Sequence, residues 1–286
     1  MGSVTLLVSD LDGMTAWYRD SLGLQVFSAE GGRVTLGRGT VSLLVLEHQP
    51  TLTQAALGSA GLFHTAILFD TQASLALAIE SIATSSPQSY TGCADHLVSQ
   101  AFYFTDPEGN GVELYWDRAR AEWSWANGQI EMASLPLDPN VFLHEHLPGA
   151  VKGASNGAGP RASVQTSSVA VVGHVHLAVG DIASAHEFYV TKVGFEQTIA
   201  LGNQALFVSA GGYHHHMAMN VWGSRGAGPR PRALGLGRVD IVVPTLDDLG
   251  ALEQRMLHHR VATRNDGAGL SFKDPWANLV RVSVAG

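Results

Sequence analysis

The sequence predicts an α+β chain of four βαβββ modules that pair into two sheets. Three observations predict it. An opening of glycine followed by alternating apolar residues occurs four times, at Gly2, Gly61, Gly173 and Gly237. The two halves also repeat. Thr5/His176, Asp10/Asp181, Tyr18/Tyr189 and Gly23/Gly194 each lie 171 residues apart, and Asp106/Asp274 and Asn110/Asn278 each lie 168 apart. Finally, 286 residues with 45% hydrophobic and 15% charged side chains suit one large globular domain or two ordinary ones and exclude disorder throughout.

The modules span about residues 1–50, 61–118, 172–222 and 236–286. Each opens on an alternating strand, with Val4, Leu6 and Val8 in the first and Val175, Leu177 and Val179 in the third. A polar residue then caps an amphipathic helix: Asp10 before Met14–Tyr18, Asp181 before Ala185–Tyr189, and Asp247 before Leu249–Met256. Strands rich in Val, Leu and Phe follow, separated by Gly or Asp-Pro turns. Four strands cannot close a core alone, so the modules must pair.

The expected domains are an N-terminal half, 1–148, and a C-terminal half, 171–286. The N-terminal half carries an extension from Trp123 to His146, whose Trp123, Trp125, Ile130 and Phe142 are expected to pack on it. Residues 149–170, rich in Gly, Ala and Ser, form a flexible linker. Gly223–Gly237 reads as a Gly/Pro/Arg loop, a lid or a rim.

Composition excludes several function classes. A net charge of −8 argues against a nucleic-acid binder, which needs a basic stripe. One cysteine, Cys93, excludes a disulfide framework and a Cys-rich metal site. No apolar run approaches the roughly 18–20 residues that span a bilayer. No secretory pattern opens the chain, so a cytoplasmic protein is expected. Thirteen histidines in a Cys-poor chain point towards metal or acid–base chemistry.

The four openings, the turn and strand Asp106-Pro-Glu-Gly-Asn110-Gly-Val-Glu113 and the run Tyr213-His-His-His216-Met-Ala-Met-Asn resemble the vicinal oxygen chelate superfamily. That group holds glyoxalases, bleomycin-resistance proteins and extradiol ring-cleaving dioxygenases. The likeness covers nearly the whole chain outside the linker and is greatest to four-module proteins similar to catechol 2,3-dioxygenase. It implies barrel-like, curved mixed sheets, with metal ligands from the first and last strands of paired modules.

Aligned on their glycines, the first strands offer Thr5, His64, His176 and Asp240, and the last strands offer Glu113, His215 and Arg281. Arg281 is a cation that cannot bind a metal. Pairing modules 1 with 2, or 3 with 4, leaves either site short of a good donor. Pairing 2 with 3 gives His64, His176 and Glu113, two imidazoles and one carboxylate, and this is the expected metal set. His174, two residues from His176 on the same strand face, is its rival. Asp240 is expected to be structural, with Arg281 neutralising it.

The resemblance implies further roles. The segment from His96 through Tyr103 to Glu113 is similar to the extradiol signature, in which the His and Tyr face the substrate. In the His214–His216 run the middle residue, His215, takes the acid–base role. Strand alternation puts His214 and His216 opposite His215, so either His215 works alone or the outer two do. The implied cofactor is Fe(II), with Mn(II) or another divalent metal as alternatives.

The function expected is a metal-dependent extradiol dioxygenase acting on a catechol-like diol and O2, with neither nucleic acid nor membrane as partner. A homodimer is allowed, and the sequence does not fix the oligomeric state. The competing readings are a glyoxalase-type isomerase, which needs a second carboxylate, and a metal-free protein that binds a small molecule in the manner of bleomycin-resistance proteins.

Overall fold

The computed structural model describes residues 1–148 and 169–285. The expected linker falls almost wholly on residues 149–168, outside the described residues. The first module is β1 (Val4–Val8), α1 (Leu11–Ala16), β2 (Gln25–Glu30), β3 (Arg33–Arg38) and β4 (Val41–His48). The second is β5 (Gly61–Phe69), α2 (Gln72–Ser85), β6 (Tyr90–Asp95), β7 (Ser99–Thr105) and β8 (Gly111–Asp117). An extension follows, with β9 (Trp125–Ala126), β10 (Gln129–Ile130) and α3 (Pro139–His146). The third module is β11 (Ala170–Ala178), α4 (Ile182–His186), β12 (Glu196–Leu201), β13 (Ala205–Ser209) and β14 (Met217–Asn220). The fourth is β15 (Gly235–Val243), α5 (Leu246–His258), β16 (Thr263–Asn265), β17 (Leu270–Lys273) and β18 (Leu279–Val284).

The fold is α+β, and each module is βαβββ. One eight-stranded sheet runs β16-β17-β18-β15-β1-β4-β3-β2, and the other runs β12-β13-β14-β11-β5-β8-β7-β6. Module 1 therefore shares a sheet with module 4, and module 2 with module 3. The sheets are mixed. First and last strands of a module run parallel, with His176 beside Ala218 and Asp240 beside Arg281. Hairpins such as β7–β8 are antiparallel. Two compact units divide the chain: Met1–Ser9, Glu47–Thr65 and Gly173–Gly286 form one, and Asp10–Leu46 and Ala66–Val172 form the other.

The duplicated residues make the same internal bonds in each unit. In one, the buried Tyr18 hydroxyl donates to Asp106 at 2.9 Å. The other oxygen of Asp106 accepts the backbone N–H groups of Glu108 and Asn110, closing the Asp-Pro turn. In the other, Tyr189 donates to Asp274 at 3.0 Å, and Trp276 and Asn278 supply the N–H groups. Burial raises both carboxyls above their ordinary range, and the hydrogen bonds pull against that rise.

Caps set the helix starts. Asp10 and Asp181 cap α1 and α4 as expected. The start of α5 differs from the sequence expectation. Thr245, not Asp247, is its N-cap, and it exchanges hydrogen bonds with Asp248 in a capping box that begins the helix earlier. The extension packs on its own unit through Trp123, Ile130 and Phe142, with Phe142 4.8 Å from Phe102, centroid to centroid, whereas Trp125 is exposed and not packed as expected. Among the described residues, no helix is long and apolar enough to cross a membrane.

Candidate metal centre

Strand β5 carries His64 and β11 carries His174 and His176, and the three rings are buried together. The ring centroid of His64 lies 5.5 Å from that of His174 and 4.9 Å from that of His176. β8, the other neighbour of β5 in the sheet, carries Glu113, which is 3% exposed. His64, Glu113 and His174 each offer one donor atom, and these atoms all lie within 4.8 Å of one another.

This trio departs from the expected one at a single place, with His174 where His176 was taken. The helix caps give the physical reason. His64 precedes its N-cap, Thr71, by seven residues, and His174 precedes its N-cap, Asp181, by the same seven. Counting from the opening glycine shifts the third module by two residues, and a two-residue shift keeps the same strand face. The glycine alignment therefore gave no warning.

His176 has a different engagement. The Asn220 side-chain amide lies 3.0 Å from His176 Nε2, and Asn220 Oδ1 accepts the Trp222 backbone N–H at 3.1 Å. That second bond fixes the amide's orientation, so Nδ2 donates and His176 Nε2 accepts. Phe63, Trp222 and Phe207 surround the His176 ring, with centroids 4.9, 5.5 and 5.9 Å away.

The His214–His216 run also departs from expectation. It forms a bend before β14 rather than part of a strand, so alternation does not separate its members. His214 and His215 are both buried, with their Nδ1 atoms 2.8 Å apart. One ring therefore donates through Nδ1 and the other accepts. His215 sits 4.1 Å from His174, ring to ring. Burial first, then the neighbouring His174 and His214, pushes the His215 imidazole well below its ordinary range and keeps it neutral.

His96 occupies the tight turn between β6 and β7. Its Nδ1 donates to the Ala133 carbonyl at 2.7 Å, because a carbonyl can only accept. A neutral ring then has an accepting Nε2, and the Tyr103 hydroxyl lies 2.6 Å from it. The extension thus orients His96, and it is tied there by paired backbone bonds between Leu135 and Asp95. Tyr103 stands opposite Glu113 in the β7–β8 ladder. Burial and the Glu113 charge hold its phenol well above the ordinary range, so it remains a donor.

The expected neutralising pair in module 4 is also arranged differently. Arg238 forms a two-point bond to Asp240, at 2.7 and 3.1 Å, and Ser3 donates to the same carboxylate. Arg281 pairs with Asp266 instead, at 2.5 and 3.0 Å.

Residues 1–114 and 171–282 match the model of the Glyoxalase/Bleomycin resistance protein/Dioxygenase superfamily. The chain belongs to that superfamily. Within the superfamily, it is 32% identical to a catechol-2,3-dioxygenase of Bacillus subtilis (strain 168), over 96% of this chain and 93% of the relative. Solved structures share the fold at low identity. A putative dioxygenase from Bacillus subtilis matches with TM-score 0.65 and 14% identity, covering 99% of this chain and 85% of that one. A glyoxalase I mutant from Zea mays matches with TM-score 0.57 and 15% identity, covering 99% and 93%.

The donor set fits a divalent first-row ion. Two neutral imidazoles and one carboxylate are an N/N/O set that such ions accept with positions left open. Glu113 is a buried carboxylate, and a cation held among the imidazoles would lower the cost of keeping it charged.

Proposed function

We propose that the chain is a metal-dependent extradiol dioxygenase acting on a small aromatic diol and O2. The observation that carries this reading is the buried group of His64, His174 and Glu113, two imidazoles and one carboxylate. The 32% identity to a catechol-2,3-dioxygenase supports it over the other superfamily chemistries. When bound, Fe(II) or Mn(II) would hold the diol and O2 side by side in the coordination positions that the three protein donors leave open.

The chain's own residues supply the rest. His215 is held neutral and buried, so it can take a diol proton at a ring nitrogen. Tyr103 keeps its proton and donates it in a hydrogen bond to His96 Nε2, which leaves the phenol oxygen's lone pairs to accept a hydrogen bond from a diol hydroxyl. Phe63, Phe207 and Trp222 give a flat ring apolar faces to lie against. A glyoxalase-type isomerase is disfavoured, because the group contains one carboxylate where that chemistry uses two.

The test is oxygen uptake over a panel of catechols after anaerobic loading with Fe(II) or Mn(II). Uptake matched by ring opening supports the proposal. Metal bound near one per chain with no uptake on any diol overturns it, and isomerisation of a thiol–aldehyde adduct would then identify the glyoxalase alternative.

A further inference from the structure

Module 4 repeats module 2 position by position. Glu113 follows Asp106 by seven residues, and Arg281 follows Asp274 by seven. His64 precedes the N-cap Thr71 by seven, and Arg238 precedes the N-cap Thr245 by seven. The two positions that carry metal donors in module 2 thus carry guanidinium groups in module 4.

These groups line a cavity of about 590 Å³. The strand pairing explains how they meet. Arg264 lies beside Ser271, Ser271 beside Arg281, and Arg281 beside Asp240, forming one row across four strands. Two residues along, and so on the same face, Lys273 lies beside Leu279. Four cationic side chains, Arg238, Arg264, Lys273 and Arg281, line the cavity against one carboxylate, Asp266, in a chain whose net charge is −8. Asp240, bonded to Arg238, offsets a second charge, and the remaining local excess of two positive charges opposes the sign of the whole molecule.

We propose that this cavity binds a small organic acid, its carboxylate held by Arg281, Arg264 and Lys273 and its apolar body lying on Val261 and Leu279. A guanidinium has five N–H donors. Arg281 spends two on Asp266, and Arg238 spends two on Asp240, so both keep donors for a ligand. The fork of an arginine matches a carboxylate. The volume lies within the roughly 300–1,000 Å³ of small-molecule pockets. The apolar wall favours an organic acid over an inorganic anion. The site stands whether or not the chain is a dioxygenase.

The experiment is a two-dimensional amide NMR titration of the full chain with benzoate and, separately, with inorganic phosphate. Saturable benzoate shifts at Ser271 and Leu279, with phosphate at least about tenfold weaker, are expected. Arg264→Gln combined with Lys273→Gln replaces two exposed side chains without disturbing the core, and it should weaken benzoate by about tenfold or more. Arg281→Lys keeps the charge and loses the fork, and it should weaken benzoate while leaving the spectrum folded. The proposal is overturned if neither anion shifts these amides, if phosphate binds as well as benzoate, if the shifts centre on His64 and His174 instead, or if the double variant binds unchanged.

Discussion

Asn220 donates its side-chain amide to Nε2 of His176 across 3.0 Å, and this bond separates His176 from its neighbour two residues back. The lone pair a metal would need on that nitrogen is already in use. His174→Ala should therefore remove most of the bound metal, as should His64→Ala and Glu113→Ala, while His176→Ala and Asp240→Ala keep it near one per chain. Metal analysis of the five purified variants decides the matter. Loss in His176→Ala with retention in His174→Ala would return the donor role to His176.

The paired rings of His214 and His215 lead to the second expectation. An acid–base group contributes typically 10²–10⁴-fold, so His215→Ala should lower turnover by about that factor at unchanged metal content. His214→Ala should also slow the reaction, since it removes the ring that fixes His215. The more exposed His216 should tolerate alanine. Rates compared at equal metal loading test the order, and a His216→Ala variant slower than His214→Ala would contradict it.

Tyr103 offers a spectroscopic check. Burial and the Glu113 charge raise its phenol well above the ordinary value near 10. The ultraviolet phenolate band of the folded protein at about pH 10 should therefore be the same in wild type and Tyr103→Phe. A band that shrinks in the variant at that pH would show that Tyr103 ionises normally. The same variant should retain its metal and lose turnover.

Asp266 is expected to titrate at about 2, chiefly because Arg281 bonds to its carboxylate. A folded-state pKa below the unfolded value of about 3.9 means that the pairing stabilises the fold above that value. The contribution is lost as pH falls from about 4 towards 2. Arg281→Gln should return Asp266 towards about 3.9, as read by carboxyl NMR; an unmoved titration would assign the depression to the loop backbone instead.

The Tyr18–Asp106 bond predicts a stability effect. Tyr18→Phe removes one of two donors to a buried carboxyl oxygen, the Asn110 side-chain amide remaining at 2.9 Å, and should cost about 0.5–1.5 kcal/mol. Tyr189→Phe should cost a similar amount, since Asp274 has matching partners. Chemical denaturation of the two variants checks both the size and the equality.

Much of this arrangement was legible in the residues. The four modules, their βαβββ order and the Asp10 and Asp181 caps follow from glycine spacing, alternation and polar residues ahead of apolar periods. The sharing of a sheet by modules 2 and 3 was legible only through chemistry, because that pairing alone gathered enough donors. The choice between His174 and His176 was hidden by the strand itself, since residues two apart share a face and either satisfies the pattern. The cap-to-histidine count points to His174. The bend at His214–His216 was hidden because a run of one residue type has no alternation to read. The pairing of Asp240 with Arg238 rather than Arg281 depended on side-chain reach along a strand, which no spacing rule supplies.

The partnership of β1 with β15, Val4 against Val239, has a consequence for the newborn chain. Ribosomes add about 5–20 residues per second, so β1 exists for on the order of ten seconds or more before its neighbour has been made. Through that interval its backbone edge stays open to any passing strand. Contacts so distant along the chain close slowly. The sheet of modules 1 and 4 is therefore the one to be completed last and the one in which helper proteins have most to shield. Starving the cell of chaperones should trap chains whose inner modules resist protease while β1 is still cut.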